Sequence, residues 1–334
     1  MSDPTKTIDE FVRLIKPGGK KIITRIKGGL GNQLFCYAAA RRLALVNNAE
    51  LVIDDVTGFA RDHQYCRRYM LDHFCITTRK ATPSERLEPF ELYRRGVMKW
   101  LSRRKPFAKR RYLEQERWDS DEWLLMLKEK DALYLDGLWQ SRYYFREGLD
   151  FDERLLMLKV KDTLYLDGLW QSEGYFKDVE QTIREDLRII PPTDSLNQRV
   201  AEEIRNSQAV ALHVRWFDVP GITATDNVST DYYQRAIALM EEKVDLPRYF
   251  LFSDNPEAGR AKLVLPEGRV TYVSHNRGDE NAYADLWLMT QCKHFITANS
   301  TFSWWGAWLS PQKSKIITSD AWWKKEDRLL FKVV

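Results

Sequence analysis

Three short stretches carry residue types from which a binding or catalytic site could be built. The first is Gly28-Gly29-Leu30-Gly31-Asn32-Gln33. Glycines let a backbone approach a ligand closely, and a helix starting there offers free N–H donors and a partial positive charge to a phosphate or a sugar nucleotide. Leu34 stands where the third glycine of a dinucleotide fingerprint belongs, and no Lys-Ser/Thr pair follows as in a P-loop. A turn used only for packing is the competing reading. The second stretch, Ala211-Leu212-His213-Val214-Arg215-Trp216-Phe217-Asp218, delivers His213, Arg215 and Asp218 to the carboxyl end of a strand, where ligands of open α/β sheets sit. Alternation puts His213 and Arg215 on one face, so Arg215 could clamp a phosphate through two N–H groups with His213 beside it. A strand-end arginine in a salt bridge would look the same. In the third stretch, residues 298–308 (ANSTFSWWGAW), Asn299, Ser300, Thr301 and Ser303 follow a strand and precede a tryptophan-rich helix start, again suited to a phosphate. Twelve tryptophans is a high count, and indole faces suit the C–H faces of sugars, yet at least two of Trp304, Trp305 and Trp308 are expected to anchor a core.

These stretches sit on an alternation of elements. Residues 21–27 read as a buried strand, 28–31 as a tight turn, 34–46 as an Ala/Leu-rich helix and 50–54 as a strand ending in the acidic pair Asp54 and Asp55. The alternation returns with strands at 209–214, 248–254 (ending in Asp254), 269–274, 294–299 and 315–319, and helices at 231–243 and 282–291, the latter carrying Asp285. Strands alternating with helices predict parallel sheets covered on both faces. Ile189-Ile190-Pro191-Pro192-Thr193-Asp194 reads as an interdomain hinge. The expected organisation is a tail at 1–20, an N-terminal α/β domain at 21–190 and a C-terminal α/β domain at 191–334, with a cleft between them.

Composition bounds the function. The 334 residues are 44% hydrophobic and 30% charged, with a mean hydropathy of −0.50, and no uncharged apolar run of about 18 residues exists to span a bilayer. The first residues are acidic and polar without the apolar core of a secretory signal, so a cytoplasmic location is expected. Four cysteines form no CxxC and five histidines are scattered, which argues against a disulfide framework and a zinc site. Asp119-Ser120-Asp121 spells a D-x-D that could hold a divalent cation, but in so charged a stretch a helix cap is the simpler reading. A net charge of +4 is too mild for an obligate nucleic-acid binder. Residues 94–111 (RRGVMKWLSRRKPFAKRR) nevertheless hold nine basic residues and no acidic one, interleaved with Trp100, Leu101 and Phe107. That patch suits an anionic membrane surface or a phosphorylated substrate, with a solvated helix face as the plain alternative.

The chain also repeats itself. Residues 121–145 and 152–176 match at 20 of 25 positions with an offset of 31, including LYLDGLWQS twice. Two copies are too few for a solenoid. One copy of the duplication, 121–151 against 152–182, is therefore expected to be an insertion, with only the other in the structural slot.

Taken together, GGLGNQLFCYA (28–38), YLDGLWQS followed by YF (165–176), ALHVRWFD (211–218) and NSTFSWWGAWLS (299–310) resemble the GDP-fucose-dependent α-1,2-fucosyltransferases of glycosyltransferase family 11, from about residue 21 to the end of the chain. The resemblance implies a GT-B-like α/β fold of two Rossmann-type domains facing across a cleft. It also implies metal-independent, inverting transfer of fucose from GDP-fucose to a β-galactoside glycan, free or lipid-linked, in O-antigen synthesis. By position it puts Arg215 on the diphosphate, His213 and Asp285 on the nucleoside side, and Asn32, Ser300 and Thr301 on the phosphate or fucose. Gly29, Gly31, Asp254, Asn299 and Ser303 complete the expected donor site; Arg215, Asp218 and His213 are the expected catalytic residues, with Asp218 and His213 as candidates for the base. The family's His-x-Arg-Arg-x-Asp appears here with Trp216 at the second arginine, which throws more of the leaving-group charge onto Arg215 and helix amino ends. Two rivals remain: a nicotinamide-dependent oxidoreductase using Gly29, Gly31 and Asp54 or Asp55, and a non-catalytic carbohydrate-binding protein built on the tryptophans.

Overall fold

The computed structural model describes residues 19–106, 109–114, 133–137, 160, 162–215, 228–312, 314–319 and 329–333. Asp119, Asp121, Trp216, Phe217 and Asp218 lie outside them. The described elements form two sheets. The first, in the order β2-β1-β5-β4-β3, is parallel throughout and consists of β1 (Lys21–Arg25), β2 (Glu50–Asp54), β3 (Tyr112–Glu114), β4 (Leu133–Gly137) and β5 (Thr163–Gly168). Around it lie α1 (Leu30–Asn47), α2 (Glu91–Arg103) and α3 (Glu180–Asp186).

The second sheet runs β11-β10-β9-β6-β7-β8, with β6 (Ala209–Val214), β7 (Arg248–Ser253), β8 (Val270–Val273), β9 (His294–Ile296) and β10 (Lys315–Ser319) parallel and β11 (Leu329–Val333) antiparallel at the edge. Its helices are α4 (Ser195–Arg205), α5 (Thr230–Lys243), α6 (Pro256–Lys262), α7 (Ala282–Thr290) and α8 (Thr301–Leu309). The central strand β6, AVALHV, is buried along its whole length, as a near-continuous apolar run in a parallel sheet should be. None of the described helices is long and apolar enough to cross a membrane.

One apolar core runs through both sheets. Ile22, Phe35 and Phe176 of the first half share it with Phe250, Leu286 and Trp305 of the second. Its centre is aromatic: Phe35 lies 4.9 Å from both Trp304 and Trp305, and Phe176 stacks on Trp305 at 5.5 Å. Trp304, Trp305 and Trp308 are all buried, so the three indoles weld α8 to α1 and are not a sugar-stacking surface. At the expected hinge, Ile189 bridges to Phe74 and the Ile190 N–H donates to the His73 carbonyl at 2.9 Å.

The repeat corrects the expectation of a looped-out copy. Both LYLDG segments are strands, side by side and in register: Leu133 faces Leu164, Tyr134 faces Tyr165, Leu135 faces Leu166 and Asp136 faces Asp167. Each pair is the same residue of the two copies. The step repeats once more, because Tyr112 of β3 faces Tyr134 and its hydroxyl donates to Asp136 at 2.6 Å, just as the Tyr134 hydroxyl donates to Asp167 at 3.0 Å. The duplication has thus widened the sheet by one strand, inserted between β5 and β3, and what the periodicity cannot reveal is that a sheet accepts a second copy in register as readily as a loop does. A variant lacking residues 121–151 should still fold, with β3 moving against β5 and the Tyr112 hydroxyl taking over Asp167. Circular dichroism should then show a cooperative transition at a midpoint several degrees lower, since Tyr134 and Leu135 no longer contribute their burial. An insoluble or molten product would show that β4 is indispensable.

Candidate active site

Two helix amino ends, one from each sheet, meet at a cavity of about 740 Å³, within the usual range for small-molecule sites. On the first sheet β1 ends at Arg25, the chain turns at Gly28 with φ +76°, and Gly29 caps α1. The helix starts at Leu30, four residues earlier than the apolar pattern suggests, so Gly31 and Asn32 belong to its first turn. Gly31 is required by a close approach: a Cβ there would stand 2.5 Å from Thr301 Oγ1 and 2.6 Å from the Phe302 nitrogen, the first turn of α8. Gln33 fixes the turn, donating to the Gly28 and Arg68 carbonyls and accepting from the Met70 N–H, each at 2.9 Å.

Asn32 joins the two halves. Its Oδ1 accepts from Gln171 Nε2 at 2.6 Å and from the Thr301 hydroxyl at 3.2 Å. With that oxygen committed, Nδ2 is what Asn32 can offer a ligand. On the second sheet β9 runs on through Asn299 to Ser300, whose hydroxyl caps α8 by accepting from the Phe302 N–H. Gly29, Gly31, Asn32, Asn299, Ser300 and Thr301 all line the cavity. Ser303 does not: wholly buried in the first turn of α8, its hydroxyl donates to the Ser300 carbonyl at 3.2 Å and holds the helix start.

The charged residues enter from β6, β7 and α7. Because Val214 pairs with Ser253, Arg215 and Asp254 emerge one residue beyond paired strand ends, and their Nη1 and Oδ2 atoms lie 2.8 Å apart. His213 is buried beside them, and burial together with the Arg215 charge pushes its imidazole down to about 3, so it is neutral at physiological pH. Asp285, in the first turn of α7, behaves oppositely. Burial pushes its carboxyl up to about 7 against the opposing hydrogen bond from Asn276 Nδ2 at 2.9 Å. Asn276 in turn pairs with Asn197, which is held by Asp194 at the amino cap of α4. His213, Arg215, Asp254 and Asp285 all line the same cavity.

Arg67 and Gln171 are among the lining residues that escape sequence reasoning. Arg67 lays its guanidinium over Gly29, 3.6 Å from where a Cβ would be, and Gln171 tethers Asn32. Gln171 belongs to the repeated LYLDGLWQS, where duplication drew attention away from the individual residue; for Arg67 no signal separates it from Arg68. Asp54, a ribose partner in the nicotinamide reading, faces elsewhere. Its carboxylate accepts from the Val56 and Thr57 N–H groups and the Thr57 hydroxyl, outside the cavity. Among the described residues no group of histidine, cysteine or carboxylate side chains is arranged to hold a metal ion.

The family model for glycosyl transferase family 11 matches residues 21–329. Among curated proteins the chain is similar to the O-antigen biosynthesis glycosyltransferase WbnK of Escherichia coli, 28% identical over 312 residues that cover 89% of this chain and 93% of that protein. It is also similar to an alpha-1,2-colitosyltransferase of Escherichia coli, 23% identical over 92% of this chain and 93% of the relative. Among solved structures, the fucosyltransferase NodZ from Bradyrhizobium is similar with a TM-score of 0.50 at 15% identity, over 95% of this chain and 99% of that one. That likeness concerns the fold, the GT-B arrangement of two Rossmann-type halves expected from the sequence. With the glycine turn, the Arg215 strand and the α8 motif all inside the matched span, the chain belongs to glycosyl transferase family 11.

Proposed function

We propose that this glycosyltransferase works on the cytoplasmic side, moving L-fucose from GDP-β-L-fucose, with inversion and without a metal ion, onto the 2-hydroxyl of a galactose unit in an O-antigen-type glycan. The observation that carries the reading is the meeting of two helix amino ends and the Arg215 guanidinium on one cavity, an arrangement suited to a sugar diphosphate. The names of the two curated relatives support the glycan class and the α-1,2 linkage.

In this reaction the acceptor oxygen bonds to the anomeric carbon of fucose while the bond from that carbon to the β-phosphate oxygen breaks. The electron pair leaves with GDP, and the acceptor proton passes to a base. Negative charge grows on the departing phosphate, where Arg215, the Ser300 and Thr301 hydroxyls and free N–H groups of α1 and α8 can stabilise it. His213, neutral at physiological pH, and Asp218 are the two candidates for the base. The test is incubation with GDP-fucose and a panel of β-galactosides, with the product linkage determined. Transfer should persist in saturating EDTA; loss that Mn²⁺ restores would reinstate Asp119 and Asp121 as ligands. No GDP binding at all would return the rival readings, since neither a nicotinamide-dependent enzyme nor a carbohydrate-binding protein has reason to bind GDP.

Asp285 makes a pH prediction. A nucleoside that offers N–H donors needs the ionised carboxylate, and in the free protein that carboxyl stays protonated up to about pH 7. Binding must therefore expel a proton below pH 7, and GDP affinity should rise by up to tenfold per unit from pH 5 to 7 and level off above. Calorimetry in buffers of different ionisation enthalpy reads both quantities, and Asp285→Asn should flatten the profile. A pH-independent affinity in the parent between pH 5 and 8 would remove Asp285 from the nucleoside contact.

A further inference from the structure

The basic segment singled out in the sequence is built as α2, and its orientation is the reverse of an ordinary surface helix, whose apolar stripe faces inward. The residues it buries are Arg95 and Ser102. Arg95 Nη2 donates to Thr57 Oγ1 at 2.7 Å and lies 3.5 Å from the Asp54 carboxylate, while the Ser102 hydroxyl donates to the Tyr112 carbonyl at 2.9 Å. Polar contacts therefore hold the helix, with Val97 and Met98 half-buried, while Leu92, Tyr93, Trp100 and Leu101 face outward. Phe90 at the amino cap is 74% exposed, Tyr93 73%, Trp100 52% and Leu101 47%. At helical spacing Tyr93, Trp100 and Arg104 share the side opposite Arg95, and the Arg104 guanidinium stacks on the Trp100 ring at 3.5 Å. Arg94, Arg103, Lys105 and Arg111 are exposed around them, with no carboxylate between residues 94 and 111.

Exposed aromatic rings among cations, on a helix held by its polar face, match a bilayer interface. Indole and phenol rings prefer the headgroup level, and basic side chains are drawn to anionic lipid. The helix also stands near the active site. Arg95 sits against Asp54 and Asp167, the carboxyl ends of β2 and β5, and the cavity wall is built from the same edge of the sheet, by Gly29 after β1 and Gln171 after β5. We propose that α2 and the turn that follows it dock the protein on an anionic phospholipid bilayer, with Tyr93, Trp100 and Leu101 entering the headgroup region and Arg94, Arg104 and Lys105 pairing with lipid phosphates. Docked in this way, the cleft stands at the membrane surface, where an acceptor carried on a lipid would be presented.

Co-sedimentation of the full chain with vesicles of phosphatidylcholine, with and without one-quarter phosphatidylglycerol, tests this. Binding should require the anionic lipid and weaken as salt shortens the Debye length from about 8 Å at 0.15 M. Each cation lost should lower the partition coefficient roughly fivefold. The variant Arg94→Gln/Arg104→Gln/Lys105→Gln should therefore bind about a hundredfold more weakly, with its unfolding midpoint and transfer to a soluble acceptor unchanged. Brominated lipid should quench tryptophan fluorescence in the parent and much less in Trp100→Phe. Equal partitioning onto neutral and anionic vesicles would overturn the proposal, as would unchanged binding of the triple variant or quenching unaffected by Trp100→Phe. Binding to an RNA oligomer but not to anionic vesicles would overturn it in favour of a polynucleotide surface.

Discussion

Arg215→Ala should lower turnover by about 10²–10³, some 3–4 kcal/mol of barrier, while leaving the unfolding midpoint close to that of the parent. Both halves of that expectation come from the geometry. The guanidinium lines the cavity between two helix amino ends, where a departing phosphate would accumulate charge, and Trp216 stands where a second arginine would share the load. The ion pair with Asp254 is a partly exposed one, with side chains 26% and 31% accessible, and pairs of that kind contribute about 0.2–1 kcal/mol. Losing that pair alone changes stability little. Arg215→Lys should recover little, because a point charge cannot make the planar two-bond contact with a phosphate. Asp254→Asn separates orientation from chemistry: with this ion pair removed the guanidinium remains cationic, so turnover should fall far less than in Arg215→Ala. Turnover per folded molecule and thermal unfolding on the same preparations decide the matter. Near-normal turnover with a lowered midpoint would make Arg215 a structural residue.

What the sequence reveals and what it hides divide along the range of the interactions. The strands 50–54, 209–214 and 315–319 coincide with β2, β6 and β10, because an apolar run bounded by polar residues is local information. The glycine turn, the strand-end Arg215 and the hydroxyls at 300 and 301 were equally legible, since each motif lies at a sheet-to-helix junction and such junctions line the carboxyl edge of a parallel sheet. The start of α1 was not, because Gly31 looks like a turn residue until Thr301, 270 positions away, explains it as a contact between helices. Ser303 was misjudged for a related reason: its hydroxyl resembles its neighbours in sequence but falls one residue too deep into α8. Arg95 was counted with the solvated cations of 94–111 although it is buried against Asp54 and Asp167, and only the sheet could show that.

Asp167→Asn should destabilise the protein by about 3 kcal/mol at pH 7, and the duplication supplies its control, since Asp136 is the same residue of the other copy. Asp167 is nearly enclosed at the end of β5, with Lys27 Nζ at 2.8 Å, Arg25 Nη1 at 3.0 Å and Arg95 Nη1 at 3.7 Å. Burial pulls its carboxyl upward, but Lys27, Arg25 and Arg95 outweigh it and hold the group down to about 2. Removing this anion leaves three cations facing one another in a confined space, where breaking a buried pair typically costs 3–5 kcal/mol. The lower figure applies because Lys27 and Arg25 keep about a fifth of their side-chain surface in water. Asp136 accepts from the Tyr112 hydroxyl, and trading that charged acceptor for an amide in Asp136→Asn should cost nearer 1 kcal/mol. The sign of the pH dependence follows from the same shift. An unfolded aspartate titrates near 3.9, so the stabilisation is complete above about pH 5 and drains away as pH falls through about 2. Denaturant unfolding at pH 7 and at pH 3 should therefore show a smaller gap between parent and Asp167→Asn at the lower pH. Equal costs for the two substitutions would mean that the cations at the edge of the sheet do not depend on Asp167. The consequence would extend to the site, because Gly168, Leu169 and Gln171 leave β5 directly after Asp167, and it is Gln171 that holds Asn32 in place.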